Sequence, residues 1–286
     1  MRADEARRQL AAELRRLRGL AGMSGRDLAH RVGISQSTVS RIESGRLLPP
    51  MPVVTAWVEQ ADATEEIGQR LRTLTEAAHT EVTRFSTALR ERPHLQDDIR
   101  RLEAAARVVR VFQPSVLPGL LQTAEYARRV FSLFQLPYSE QDLVSAVAAR
   151  MDRQLALYGT EQRFEFLVTE AALRWRPGPP SLLAAQLSRV LSVATLANVS
   201  FGVIPQDAEA RTFLSHGFVI YEPGEEADDA PVVAVETVHA NITVHAPEDV
   251  TLYRDRWSLL RQMAIFDQDA ECFVDDLAAE IQTAGR

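Results

Sequence analysis

The chain opens on a helical alternation. Between residues 4 and 20, Leu10, Leu14 and Leu17 recur at i, i+4 and i+7 while Arg7, Arg8, Arg15, Arg16 and Arg18 fill the rest of the cylinder; Gly19 and Gly22 end the segment. Ser24 stands three residues ahead of Asp27, a short capping box that opens a second helix through Leu28, Ala29 and Val32, and Gly33 stops it. Ser35 caps a third helix, with Gly45 as its C-terminal stop. Beyond Pro49, Pro50 and Pro52, the positions of Val53, Val54, Trp57 and Val58 predict a short helix closing a small domain. Ile67, Leu71, Leu74, Ala78, Val82, Phe85 and Leu89 then advance by threes and fours. This stripe predicts one continuous helix over 64–89, ended by Pro93, that bridges two domains and is free to pack within one subunit or to pair two.

Further along, Leu95, Ile99, Leu102 and Ala106 predict another helix, followed by a β-like run at 107–112. Helices are expected near 123–134 and 139–158, the second carrying Leu143, Val147, Met151 and Leu155, with a strand at 164–169, a helix at 181–197 and a strand at 199–204. Residues 218–221, 232–237 and 242–244 read as an antiparallel set, and 222–231 as a solvated loop. Val250, Tyr253, Trp257, Leu260 and Ala264 line a further helix, and a last one covers 270–281. The fold class is therefore mainly α with a smaller β component: a helical N-terminal domain (1–62), a linking helix (63–94) and an α+β C-terminal domain (95–286). No internal repeat is visible.

The 286 residues suffice for two domains, and the ordinary composition excludes disorder, collagen and a disulfide miniprotein. The longest apolar stretches, such as 192–203, are interrupted by Ser, Thr or Asn and fall short of the roughly 20 residues a bilayer-spanning helix needs. With a charged N-terminal helix and Cys272 as the single cysteine, which reads as buried core, the expected location is cytoplasmic, on the nucleoid when DNA is bound. The net charge of -7 argues against a polyanionic partner until it is resolved along the chain. Residues 1–50 carry +5 and the remainder -12, and every basic residue is Arg.

Residues 25–44 satisfy the steric demands of a helix-turn-helix. Ala29 is small where two helices cross, Gly33 sits in the turn where a positive φ excludes most side chains, and Leu28, Val32, Ile34, Val39 and Ile42 are apolar at inward positions. Gln36, Ser37, Ser40 and Arg41 lie opposite, a short polar and basic face that fits a major groove while cations and helix N-termini hold phosphates. An αα-corner in a bundle makes similar demands, but the Arg-rich first helix and the local +5 favour DNA. The run Val-Gly-Ile-Ser-Gln-Ser-Thr-Val-Ser-Arg-Ile-Glu-Ser-Gly-Arg at 32–46 resembles the core of the Xre, or lambda-repressor-like, DNA-binding domain, over about residues 8–60. The resemblance implies a five-helix domain in which 35–44 reads DNA. Ser35, Gln36 and Thr38 would approach bases or phosphates at the helix start, Ser37, Ser40 and Arg41 would face the groove, and Arg46 would hold the backbone. Where many members have Gln at the start of the first motif helix this chain has Gly25, with Arg26 beside it as the substitute. The partner implied is a double-stranded DNA operator, bound by a homodimer because one recognition helix covers a half-site.

A second resemblance rests on Leu-Pro-Gly-Leu-Leu-Gln-Thr-Ala-Glu-Tyr-Ala-Arg at 117–128, Arg-Met-Asp-Arg-Gln at 150–154, Glu-Ala-Ala-Leu-Arg at 170–174, and Gln186-Leu187. These are similar to the C-terminal domain of actinobacterial WhiJ-like, antitoxin-like transcriptional regulators, which implies a small protein partner encoded nearby; a small-molecule effector is the other input. The paired Trp of many members is missing around 79–85. Physically, Pro118-Gly119 is a turn, Leu120 and Leu121 dock into a core, and Thr123 caps the helix bearing Tyr126. The alternative reading gathers Gln122, Tyr126, Arg150, Arg153 and Glu170 into a polar pocket for a ligand or partner. Arg150 and Arg153, one turn apart, suit either a carboxylate ligand or an internal tie to Glu170. An enzyme is not expected: no phosphate loop, nucleophile elbow or Cys-pair zinc signature occurs, and no metal or cofactor is implied. His239 and His245 share a face only on an unbroken strand, and loop positions are equally open.

Overall fold

The computed structural model of the chain describes residues 3–85, 96–134, 139–224 and 230–284. Five helices form an N-terminal head: α1 (Ala3–Leu20), α2 (Gly25–Val32), α3 (Gln36–Glu43), α4 (Met51–Gln60) and α5 (Glu65–His79). Leu10, Leu14 and Leu17 of α1 meet Leu28, Val39, Ile42, Val54 and Trp57 in one buried cluster. Leu71, Leu74 and Ala78 of α5 join the same cluster, and α5 packs along α1. The fifth helix thus completes the head instead of bridging to a second domain.

The expected continuous helix over 64–89 ends at His79, and β1 (Thr80–Arg84) takes over. Thr80, Val82 and Thr83 are β-branched, which weakens a helix and suits a pleated surface. A neighbouring strand also supplies the hydrogen bonds, from Thr80↔Val244 to Arg84↔Ala240. Val82, counted in the apolar stripe, is 53% exposed, while Phe85 is buried. Leu89 lies outside the described residues. The linking helix expected over 63–94 is therefore, as far as residue 84, the last helix of the head followed by an edge strand of the next domain.

The C-terminal region is α+β. In chain order it holds α6 (Gln96–Ala105), β2 (Val108–Gln113), a 3-10 turn (Gly119–Leu121), α7 (Ala124–Ser132), α8 (Glu140–Arg153), a 3-10 segment (Gln154–Tyr158) and β3 (Arg163–Thr169). Next come α9 (Glu170–Arg174), α10 (Pro180–Ala194), β4 (Val199–Ile204), β5 (Phe218–Glu222), β6 (Val232–Glu236), β7 (Ala240–Val244), α11 (Pro247–Gln262), β8 (Ile265–Phe266) and α12 (Asp267–Ala284). The eight strands form one sheet in the order β1-β7-β6-β5-β2-β3-β4-β8. β2, β3 and β4 are parallel, joined by helical crossovers, and the remaining pairs are antiparallel.

Side chains alternate across this sheet as the pleat requires. Val109, Val111, Phe164, Phe166 and Val168 face a core shared with α10 and α12. Phe112, Leu167, Phe218, Ile220 and Val233 face the other way, onto Trp257 and Leu260 of α11. On that second face Arg110 donates to both Glu165 and Glu222, and Arg254 of α11 grips Glu222, so an ion network ties the helix to the strands. The short elements α9 and β8 are too brief to show a hydrophobic periodicity, which needs several turns or residues. The helix expected over 139–158 gives way to 3-10 geometry after Arg153, and Ala264 falls beyond α11. Of the expected loop at 222–231, Glu222 ends β5, and 225–229 lie outside the described residues. Cys272 is exposed on α12, not buried as its apolar neighbours suggested.

Candidate nucleic-acid interface

The helix-turn-helix is built by local chemistry. Ser24 accepts from the Asp27 amide while the Asp27 carboxylate accepts from the Ser24 amide, a complete capping box. Ser24 Oγ and the Ser24 amide hold the Asp27 carboxyl below its ordinary pKa. Gly33 ends α2 at φ 77°, a left-handed conformation that costs a non-glycine residue roughly 1–2 kcal/mol. Two residues on, Ser35 Oγ accepts from the Thr38 amide at 3.0 Å and starts α3. Val39 and Ile42 are each 1% exposed and anchor the inner side of α3. Gln36, Ser37 and Ser40 are exposed, as are Arg26 on α2 and Arg46 beyond α3, and Arg41 is half-buried.

The sequence-predicted DNA residues thus stand on α2, on α3 and its cap, and on the turn after α3, with two grades of availability. Ser35 Oγ lies 2.7 Å from Ser37 Oγ and 2.8 Å from Thr38 Oγ1, so these hydroxyls stabilise the start of α3 as well as lining it. Gln36 sits next to Gly25: a Cβ on Gly25 would lie 3.9 Å from Gln36 Nε2. Gly25 thus brings the start of α2 against the first residue of α3.

Sequence reasoning missed how that helix is held. Arg18 of α1 donates to both oxygens of Glu43, at 2.6 and 2.9 Å, and to the Met23 carbonyl at 2.7 Å. The Glu43 hydrogen bond keeps the Arg18 guanidinium above its ordinary pKa despite partial burial. Arg7 donates to the carbonyls of Gly45 and Arg46, at 2.7 and 2.8 Å, and fixes the turn that presents Arg46. A sequence signal did exist, since Arg7 and Arg18 flank the apolar stripe of α1, but nothing local distinguishes them from Arg8 and Arg15.

The five residues proposed as a pocket in the larger domain divide into separate arrangements. Gln122 is buried, donates to the Leu117 carbonyl and accepts from Arg150 at 2.7 Å, while Arg150 also lies 4.0 Å over the Phe131 ring. Gln154 donates to the Gln122 carbonyl, and Gln186 bonds both the Leu121 carbonyl and the Thr123 amide. Three glutamines thus satisfy the backbone of the Pro-Gly-Leu-Leu-Gln-Thr turn, the internal role such groups have when buried. A Cβ on Gly119 would lie 3.2 Å from Arg150 Nε, so a larger residue there presses on the Arg150 side chain. Tyr126 is fully buried edge-on to Trp175, and burial pushes its phenol pKa up. Arg153 donates to Glu103 of α6 at 2.9 Å; burial is the largest influence and opposes its charge, but the Glu103 hydrogen bond and charge, with Tyr221 and Glu236, together raise its pKa. Glu170 lies with Arg174 and the Gln206 amide, and these, the amide first, lower its pKa. The tie of Arg150 and Arg153 to Glu170 is replaced by Gln122 and Glu103.

His239 and His245 flank β7 instead of sharing a strand face. Among the described residues no cluster of His, Cys, Asp and Glu has the makings of a metal site, and no helix is long and apolar enough to cross a membrane.

Comparison with known proteins follows this division. A family described as a helix-turn-helix domain matches residues 9–67. The chain finds no match among curated proteins. One matching solved structure is that of TrmBL2, titled as an archaeal chromatin protein that shows a novel mode of DNA binding. It is 12% identical, with a TM-score of 0.31, over 88% of this chain and 92% of that one, a likeness too distant to bear on fold or function. Residues 96–276, more than half of the chain, match the family described as a domain of unknown function (DUF5753), and the chain belongs to that family, with a helix-turn-helix head in front of it.

Proposed function

We propose that the protein is a sequence-specific transcriptional regulator of the Xre type, not an enzyme, that binds its operator as a homodimer through α3. The observation that carries the reading is the two-sided character of α3: Val39 and Ile42 are locked into the head while Gln36, Ser37 and Ser40 are presented outward between the cations Arg26 and Arg46. Such a surface offers base-reading groups at its centre and phosphate-binding groups at its margins. The C-terminal domain supplies the regulatory input, a partner protein or a small effector.

The test separates base reading from backbone holding. After selecting a high-affinity duplex from a random pool, competition gel-shifts compare it with random DNA. Arg41→Ala should weaken the selected duplex by about tenfold or more relative to random DNA, the discrimination typical of an arginine on a base. Arg46→Ala should weaken both alike. Equal losses of discrimination in the two variants would refute this division of roles.

A further inference from the structure

The five charged arginines of α1 are not equivalent. Arg7 and Arg18 are spent inside the head, on the Gly45–Arg46 turn and on Glu43, and Arg16 pairs with Glu13 at 2.9 Å. Arg8 and Arg15 are exposed and make no ion pair among the described residues. Seven residues apart, they share one side of the helix, with about 10.5 Å of rise between them. Together with Arg16 they line a groove of 520 Å³ whose opposite wall is the turn 43–45 at the end of the recognition helix. Its acidic lining residue, Glu43, is already neutralised by the bidentate Arg18. Ala12 forms part of the floor and leaves the space open.

The geometry points to this groove as a seat for the phosphodiester backbone of the bound duplex, with Arg8 and Arg15 as two phosphate ligands. The inference rests on the DNA-binding reading above and extends the footprint past α3. An anion is the fitting occupant because the α1 wall carries the guanidinium groups of Arg8 and Arg15, and guanidinium forks match phosphate oxygens. Duplex DNA, not an acidic protein segment, is favoured by position: the groove begins where the recognition helix ends, beside Arg46, so a strand running along the major groove rim passes it. Backbone contact of this kind gives affinity without sequence preference.

The experiment measures affinity for the selected duplex and for random DNA across a salt series, with the full chain. Arg8→Ala/Arg15→Ala should weaken both duplexes alike, by about tenfold per arginine. It should also flatten the slope of log affinity against log salt by about 1.8, since each lost phosphate contact removes about 0.9. Arg8→Lys/Arg15→Lys should keep the slope, and Ala12→Glu, which adds an anion to the groove and removes no contact, should weaken both duplexes. An unchanged slope in the alanine variant, or a loss confined to the selected duplex, overturns the groove while leaving α3 recognition standing. A wild-type chain without affinity for duplex at low salt overturns the functional reading and this one with it.

Discussion

Arg18 and Glu43 lie 25 residues apart, yet they join the end of α1 to the end of α3, with side chains 20% and 11% exposed. Removing either partner strands the other in a half-dry site, so Arg18→Ala and Glu43→Ala should each destabilise the head by about 1–3 kcal/mol, below the figure for a fully buried pair. In urea unfolding the double variant should cost well under the sum of the singles; simple additivity would show that the two do not act as a pair. The contrast with the caps explains what was legible at this scale. Ser24 with Asp27, Gly33 and Ser35 with Thr38 are interactions within a few residues, so local chemistry announced them. Arg18–Glu43, and Arg153–Glu103 across 50 residues, depend on how distant helices come together. Glu170 is the opposite case: its ion pair with Arg174 is a local i,i+4 contact, legible in the sequence, and it displaces the expected tie to Arg150 and Arg153.

At the scale of elements, most helices and strands were legible because each buries one face and shows a periodicity for it. The failure at residue 80 is instructive, because Val82 and Phe85 continue the α5 spacing by chance while hydrogen bonding to β7 decides the conformation. Strand order was beyond periodicity altogether: β2, β3 and β4 are apolar on both faces, which marks them as interior strands but leaves their neighbours open. The close approach of β8 to β4 is another such feature. A Cβ on Gly202 would sit 2.5 Å from a ring carbon of Phe266 and 2.7 Å from Leu167 Cδ2. Gly202→Ala should therefore displace the two-residue strand β8 and cost about 1–3 kcal/mol by overpacking. Thermal unfolding reads the cost, and a melting temperature equal to that of the parent would mean that Phe266 swings aside freely.

On the scale of the whole molecule, the basic segment 1–50 falls inside the head, and the head meets the acidic sheet domain at a structural join. β1 leaves the last helix of the head and pairs with β7 of the acidic sheet domain, the His245 amide donates to the His79 carbonyl at 2.9 Å, and His79 Nε2 lies 2.9 Å from the Pro49 carbonyl. This join has a titratable reporter. Burial, then the positive charge of Arg7 and the neighbouring His79, push the His245 pKa down to about 4 from its ordinary 6.5. The unfolded chain therefore takes up a proton that the folded one refuses between those values, so stability is complete above about pH 6.5 and falls as pH drops toward 4, at a slope of at most about 1.4 kcal/mol per pH unit. His216, whose pKa burial and Arg256 also lower, adds a loss of the same sign. The lowered carboxyls of Glu170 and Glu222 add their losses mainly below their ordinary 4.5, while Glu236, whose carboxyl burial raises, takes up its proton in the folded state and opposes the histidines above that pH. His245→Gln, neutral at every pH, should keep the join and flatten the pH dependence of urea unfolding below pH 6.5. If the variant loses stability as steeply as the parent between pH 6.5 and 5, His245 is not the group that titrates there.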